Sequence, residues 1–255
     1  MSKVILKAED LDGYLTAADR EFIEHMDRMY REVMSCYSIL ATSRIEKEKK
    51  REEGNLIRLF NEMGTIMQKI CGAENRLHVY SFETQQESHP EASRLIAKLR
   101  DYSTENEEFV YYTQRAYEML FKLAFGGTTG SNKNYLIVKT PVNIPVQNFA
   151  VHKITNIDDK IENTVMCVML RGALLPSMIM SKEIQEYSSH GYVTPFALFK
   201  ICRDDVKHEY DMEYILDLDR SYFRLEDLEG KDLIFADPMN ATGGSLVTVV
   251  KYLLN

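Results

Sequence analysis

The run TVMCVML (Thr164–Leu170) is apolar almost throughout, and it is the feature that most limits what this chain can fold into. Its length suits a strand and is short for a helix. Its threonine and valines favour extended backbone. Because polar and apolar residues do not alternate, both faces of the strand must be covered, as is typical of a parallel sheet with helices on each side.

The segments around this run switch between strand patterns and helix patterns. Helix candidates are Pro176–Tyr187, Ser245–Leu254 and PEASRLIAKLR, which begins at Pro90. The spacing of Thr104 and Glu107 fits the capping box at the start of another helix. Strand patterns are RLHVYSFE, NYLIVKTPV, TPFALFKI, MEYILDLD and DLIFAD. Such alternation predicts an α/β fold with a mostly parallel sheet and flanking helices.

The first part of the chain has a helical pattern instead. Its apolar residues recur at spacings of three and four, first at Phe22, Met26, Met29, Val33, Tyr37 and Leu40, and again at Leu56, Leu59/Phe60, Met63, Ile66/Met67 and Ile70. Gly54 and Asn55 predict the break that joins these two helices. We therefore predict an α-helical N-terminal region over residues 1–75 and an α/β domain over residues 76–255.

Composition excludes several classes of function. The net charge of −8 is opposite in sign to that of most nucleic-acid-binding proteins. No apolar run approaches the ~18 residues that a membrane span needs, and the N-terminus lacks the apolar core of a signal peptide. Four scattered cysteines suit reduced thiols rather than a disulfide framework. We expect a cytoplasmic protein with neither nucleic acid nor membrane as partner.

The stretch DLIFADPMNATGGSLVTVV carries the clearest chemical signal. Its strand pattern ends at Asp237, and a loop then leads into the last helix through Asn240, Ala241, Thr242, Gly243, Gly244 and Ser245. Successive N–H groups in such a turn, with the positive end of a helix, form a site for an anion. The lysine of a triphosphate-binding loop is absent, so one phosphate fits better. Asp237 would accept hydrogen bonds from sugar hydroxyls. Asp237 and the anion-binding turn together suggest a site for a ribose 5-phosphate. The alternative is a strand–turn–helix with no ligand.

Arginines follow two other predicted strands. The planar fork of Arg171 suits a second phosphate or a pyrophosphate, and Gly172 would let backbone N–H groups approach that anion; the alternative is an arginine in an ion pair at the sheet edge. Arg203 opens a long polar segment that is typical of a lid and would clamp a polyphosphate. Asp204 would orient Arg203 or contact a hydrated metal, and an exposed charged loop is the alternative.

These residues resemble those of a known family. LIFADPMNATGGS resembles the 5-phosphoribosyl 1-pyrophosphate (PRPP) motif of type I phosphoribosyltransferases, and its single Asp followed by Pro-Met resembles the uracil phosphoribosyltransferase branch. Further segments resemble that branch in the same order: LIAKLRDYSTENEEF, VKTPV, VMLRGALLPS, KICRDD and LEGKDLIFADPM. The resemblance extends over about residues 76–255.

The resemblance implies an enzyme of nucleotide salvage that joins uracil, or a related pyrimidine, to PRPP and releases UMP and pyrophosphate. Arg171, Arg203 and Asp237 would be catalytic. The PRPP-binding set would be Arg171, Gly172, Arg203, Asp237, Asn240, Ala241, Thr242, Gly243, Gly244 and Ser245. The cofactor Mg²⁺ would be held mainly by PRPP and water, with no direct protein ligand. A homodimer or higher homo-oligomer is the expected assembly.

The sequence departs from that branch in three places. Arg171 is followed by Gly-Ala where the branch tends to have Ala-Gly, residues 1–75 have no counterpart, and the segment that would recognise the base after the last helix is missing. One alternative is therefore a non-catalytic PRPP- or nucleotide-binding sensor with a helical output region. Another is a structural helical-bundle protein, which rests on residues 1–75 alone.

Overall fold

A computed structural model describes residues 2–80, 90–126, 133–141, 148–204 and 206–255. The chain divides into two compact units. One comprises Met1–Asp10 with Glu105–Asn255, and the other comprises Leu11–Thr104. The first unit holds the strands, and the second holds the long N-terminal helices. The predicted division at residue 76 stays a prediction.

The helices in chain order are α1 (Ala8–Leu11), α2 (Ala17–Thr42), α3 (Glu46–Gly72), α4 (Pro90–Arg100), α5 (Asn106–Phe121), α6 (Asp158–Ile161), α7 (Leu174–Tyr187) and α8 (Gly244–Leu254). The strands are β1 (Lys3–Lys7), β2 (Lys133–Lys139), β3 (Phe149–Thr155), β4 (Thr164–Leu170), β5 (Phe196–Arg203), β6 (Glu213–Tyr222) and β7 (Asp232–Ile234). No helix among the described residues is long and apolar enough to cross a lipid bilayer.

Helices α2 and α3 form an antiparallel pair within the second unit. A capping box fixes the start of α2, because Thr16 accepts a hydrogen bond from the backbone of Asp19 while the Asp19 carboxylate binds the Thr16 amide. The core of the pair is small and consists of Met29, Val33, Cys36 and Leu59. Met29, Val33 and Leu59 belong to the periodic sets in the sequence, and the predicted helices are confirmed. Cys36 was not in those sets, whereas Tyr37 was in them and is exposed.

The predicted break at Gly54 is wrong, because α3 continues through it. A glycine inside a helix costs only about 1 kcal/mol relative to alanine, and packing on either side outweighs that cost. Asn55 donates a hydrogen bond to Glu52 within the helix instead of ending it. The chain turns earlier, between Thr42 and Glu46, where Ser43 and Ile45 have extended backbone.

The main sheet of the first unit has the strand order β1-β6-β5-β4-β7. Strand β4 runs parallel to both neighbours, whereas β6 is antiparallel to β5 and to β1. The predicted α/β class is confirmed, but the sheet is mixed rather than mostly parallel. The difference arises partly at Lys3–Lys7, which the sequence analysis included in a helical region. Its alternating residues pair with β6 as an edge strand.

Burial of β4 agrees with its sequence. Its side chains are buried from Thr164 to Met169, as expected for a strand covered on both faces. Helix α7 packs against β4, α5 packs against α7, and α8 packs against β1, β5 and β6. One hydrophobic core therefore surrounds the strand that carries Arg171 at its carboxyl end.

Three local predictions differ from the structure. Residues 76–80 of the predicted strand RLHVYSFE are not extended in a sheet, and its last three residues lie outside the described part. The N-cap of α5 is Glu105 rather than Thr104, whose hydroxyl donates to the Lys98 carbonyl. The sequence analysis also missed β3, which pairs with β2 in a separate two-stranded sheet.

We expect Gly54→Ala to raise the free energy of unfolding by about 1 kcal/mol, because a methyl group at this helical position meets open space. Urea unfolding of the full chain measures the change. Gly191→Ala is the matched control, because Gly191 has φ of +67° and alanine is strained there. Equal effects of the two substitutions would contradict the structure of α3.

Candidate functional site

The parallel strands β4, β5 and β7 bring three predicted site residues to one edge of the sheet. Arg171 follows β4, Arg203 ends β5, and Asp237 lies shortly after β7. The chain passes from β4 to β5 on one side and later places β7 on the other side of β4. Ligands of open α/β sheets bind beyond the carboxyl ends of the strands at such a reversal of strand order.

The loops after β4 and β7 lie against each other. A methyl group built on Gly172 would be 3.7 Å from Cγ of Pro238. The register pairs Met166 with Ile234, so the two strands reach this edge at the same level. The peptide bond between Leu170 and Arg171 is cis. The structure thus places the two loops that the sequence analysis singled out side by side.

The guanidinium groups of Arg171 and Arg203 are exposed, and neither forms an ion pair with the residues that the structure describes. By contrast, Arg220 pairs with Asp217 and Arg224 pairs with Asp227. The alternative of an internal ion pair for Arg171 therefore finds no support in the described residues. Two unpaired cations at neighbouring strand ends are suited to an anionic ligand.

The segment after Arg203 forms a turn and then β6. The backbone N–H of Asp204 donates to the Glu213 carbonyl, and Lys207 forms an ion pair with Glu213 at 2.6 Å. The described residues show no ion pair between Asp204 and Arg203. The segment predicted to be a lid thus consists of a short connection after β5 and of strand β6, which is paired within the sheet. That this segment closes over a ligand stays a prediction.

The loop before α8 leaves the positive end of that helix open. Gly243 is the N-cap residue and has φ of +76°, which glycine adopts without strain. No side chain caps the helix, its first turn has no acidic residue, and the N–H groups of Ser245 and Leu246 have no acceptor among the described residues. Asn240, Ala241 and Thr242 are exposed beside this opening. Free amides of this kind bind phosphate or carboxylate groups.

Tyr214 of β6 supports this loop, and the sequence analysis missed it. Its buried hydroxyl lies 2.5 Å from Oγ1 of Thr242, and either oxygen can donate the hydrogen. Its ring lies so close to Gly244 that a side chain on Gly244 would overlap it. The alternating pattern of β6 already predicts an inward-facing Tyr214. No local signal in the sequence, however, connects it to a loop so far along the chain.

Asp237 is half-buried and has little to stabilise its charge. Its Oδ1 accepts one long hydrogen bond, 3.5 Å, from the Met239 amide. Burial raises the pKa of the Asp237 carboxyl above its ordinary value. Burial also raises the pKa of Tyr117 to about 12, and the nearby Asp237 charge adds to that shift. Asp237 therefore has spare capacity to accept hydrogen bonds from a ligand.

A second cluster of polar groups lies near the amino ends of β4 and β5. Asp158, Glu162 and His190 have ligand atoms within 4.8 Å of one another. Glu162 accepts a hydrogen bond from Ser188 and pairs with His190, which raises the pKa of His190 and lowers that of Glu162. Within the described residues this pairing fastens the turn after α7 to the segment before β4, at the other end of these strands from Arg171.

Gly244→Ala should lower the free energy of unfolding by about 1–3 kcal/mol, because the new methyl group must displace the buried ring of Tyr214. Chemical denaturation measures the loss. Gly172→Ala is the control in the neighbouring loop, since its methyl group would make only an ordinary contact with Pro238. Unchanged stability of the Gly244→Ala protein would show that Tyr214 does not pack under this loop.

Asp237→Asn should stabilise the fold at neutral pH. Because the folded-state pKa of Asp237 is raised, its stabilising contribution is complete below the unfolded value of about 3.9 and is lost as pH rises through the folded value. Asparagine resembles the protonated form, so the gain in melting temperature at pH 7 should shrink as pH falls towards about 4. A lower melting temperature at pH 7 would contradict this account.

Comparison with known proteins does not assign the chain to a family. No protein-family model matches the sequence, and no curated protein matches it. Any function must therefore be argued from the geometry at this sheet edge and from the motifs that lie there.

Proposed function

We propose that the chain is a phosphoribosyltransferase of the uracil type, with a type I phosphoribosyltransferase-like fold in its α/β unit. It would join a pyrimidine base to PRPP and release a nucleoside 5′-monophosphate and pyrophosphate. The observation that carries the proposal is the convergence, at one sheet edge, of an open helix N-terminus, a half-buried carboxylate and two arginines, none of which has an ion-pair partner in the part of the chain that the structure describes. PRPP presents a phosphate, ribose hydroxyls and a pyrophosphate, which match these three kinds of group.

The roles of the residues follow from their chemistry. The loop from Asn240 to Ser245 would bind the 5-phosphate through backbone amides and through the hydroxyls of Thr242 and Ser245. Asp237 would accept hydrogen bonds from the ribose hydroxyls, which would relieve its poor solvation. Arg171 and Arg203 would neutralise the leaving pyrophosphate. Holding both ends of PRPP fixes the reacting carbon between them, which is the main help a transferase can give to such a reaction.

Divalent magnesium fits this set of residues as a partner of PRPP rather than as a resident of the protein. Asp237 is an oxygen donor of the kind that magnesium prefers, and Asp204 after β5 is the other carboxylate that follows a strand at this edge, but two carboxylates are few for an ion with six ligands. Pyrophosphate oxygens and water would supply most of the ligands. When bound, the ion would lower the negative charge of the leaving group, and Arg171 and Arg203 would do the same from the protein side.

The same geometry supports a second candidate, a PRPP- or nucleotide-binding sensor that does not catalyse transfer. Each residue at this edge has a role towards the phosphate, the ribose or the pyrophosphate, and none of these roles concerns the base. A protein that only binds PRPP and an enzyme that transfers its phosphoribosyl group need the same residues to hold PRPP. The two candidates therefore differ only in whether a base reacts.

Calorimetry with PRPP and Mg²⁺, followed by pyrophosphate release with a panel of pyrimidine and purine bases, separates these candidates. We expect PRPP binding and base-dependent release, with uracil the preferred base. Binding without release for any base would favour the sensor. Absence of PRPP binding would exclude both.

Arg171→Gln should weaken PRPP binding at least about tenfold, because a hydrogen bond to a charged group is worth roughly 1.5–3 kcal/mol. Asp237→Asn should also weaken PRPP binding while the protein remains folded. Arg220→Gln is the matched control, since Arg220 is an exposed arginine of the same unit that already pairs with Asp217. Equal losses in Arg171→Gln and Arg220→Gln would mean that charge in general, rather than this site, governs binding.

A further inference from the structure

Helices α2 and α3 expose a second apolar stripe that their own packing does not use. On α2, Ile23, Tyr30, Met34 and Tyr37 recur at spacings of seven, four and three, as at the seam of a helical bundle. On α3 the corresponding residues are Ile57 and Phe60, followed by the half-buried Met67. The exposed side chains of this stripe are between 42 and 64% accessible.

The stripes of α2 and α3 lie on the same side of the helix pair. At 3.6 residues per turn, each stripe lies about 90° around its helix from the buried residues, such as Met29 on α2 and Leu59 on α3. Because the two helices are antiparallel, these rotations bring both stripes to one side. We call this side the apolar face, and it consists of Ile23, Tyr30, Met34, Tyr37, Ile57 and Phe60.

Contacts on the opposite side of the pair agree with this geometry. Arg58 of α3 forms ion pairs there with Glu62 of α3 and with Glu32 of α2. Cys36 contacts Glu52 nearer the turn, which confirms that residues equally far from the connection meet. One side of the pair is thus joined by an ion pair, whereas the other side exposes six large apolar side chains, with Asp27 and Glu53 in line with them.

We propose that the apolar face binds the same face of a second copy of this chain, so that two helix pairs form a four-helix bundle. Such bundles are built from antiparallel helix pairs packed through apolar seams, and a two-fold axis places identical patches against each other. Tyrosine and methionine in the face are residue types enriched at protein interfaces. Exposed apolar patches of several hundred Å² often mark sites of interaction with another protein.

The available area is enough for a stable dimer. Six large side chains that are each about half-exposed offer roughly 600 Å² per copy, if a large side chain presents roughly 200 Å². Two copies would then bury about 1,200 Å² of apolar surface, which reaches the lower limit of specific interfaces before any polar rim is counted. The small core of the isolated pair would grow by the same contacts, so the dimer would also stabilise the helices.

Sedimentation velocity of the full chain over a concentration series tests this proposal. We expect a species with twice the chain mass of 29.6 kDa. Met34→Glu and Ile57→Glu should each raise the dimer dissociation constant at least about tenfold, because the interface would bury an unpaired charge. Both side chains are exposed, so the helices should fold normally, and circular dichroism checks that they do.

Ser35→Glu is the matched control. Ser35 is exposed and adjacent to Met34 but points away from the apolar face, so the same new residue there should leave the dimer unchanged. Three outcomes would overturn the proposal: a wild-type monomer at every concentration, a dimer that Met34→Glu and Ile57→Glu leave intact, or equal weakening by Ser35→Glu.

Discussion

The parallel pairing of β4 with β5 on one side and β7 on the other determines where the chemistry of this chain lies. Parallel neighbours end at the same edge of the sheet. Arg171, Arg203 and Asp237 therefore lie at one edge although they are distant in sequence. The register of β4 against β5 and β7 sets how far each strand extends towards this edge, and burial of β4 from Thr164 to Met169 holds it in the core. Arg171 and Asp237 are positioned by that register, and the contact between Gly172 and Pro238 follows from it.

Among the described residues, Arg171, Arg203 and Asp237 lack the ion-pair partners that several other charged groups of the α/β unit have. Arg220 and Arg224 have carboxylate partners, and Glu162 has both a serine and a histidine. Asp237, in contrast, is partly desolvated, and burial raises its pKa. Groups arranged for internal stability would have been paired with one another. This arrangement of Arg171 and Asp237 fits the proposed ligand, because phosphate oxygens would accept hydrogen bonds from the arginine and ribose hydroxyls would donate them to the carboxylate.

The sequence predicted those parts of the fold whose signal is local. The limits of α4 match the predicted helix, and β4 was identified because its apolar run has one interpretation at that length. Strand β3 was missed because most of its side chains are exposed on both sides, so no alternation marks it. The break expected at Gly54 failed because packing outweighs the preference of one glycine. The sequence predicted the two loops after β4 and β7. It could not predict the contact between Gly172 and Pro238, because that contact depends on the register of the two strands.

Tyr214 shows why the antiparallel half of the sheet matters to a site whose proposed ligand contacts come from the loops and strand ends of the parallel half. It lies on β6, between Leu6 of β1 and Arg203 of β5, and its hydroxyl reaches Thr242. Within the described residues, the loop before α8 has few hydrogen bonds of its own, and the proposed function requires that its amides stay free. The conformation of this loop is therefore constrained by β6, because the ring of Tyr214 packs directly against Gly244. Strand β1, at the far end of the sequence, pairs with β6 beside Tyr214, so residues 3–7 support the loop that precedes α8.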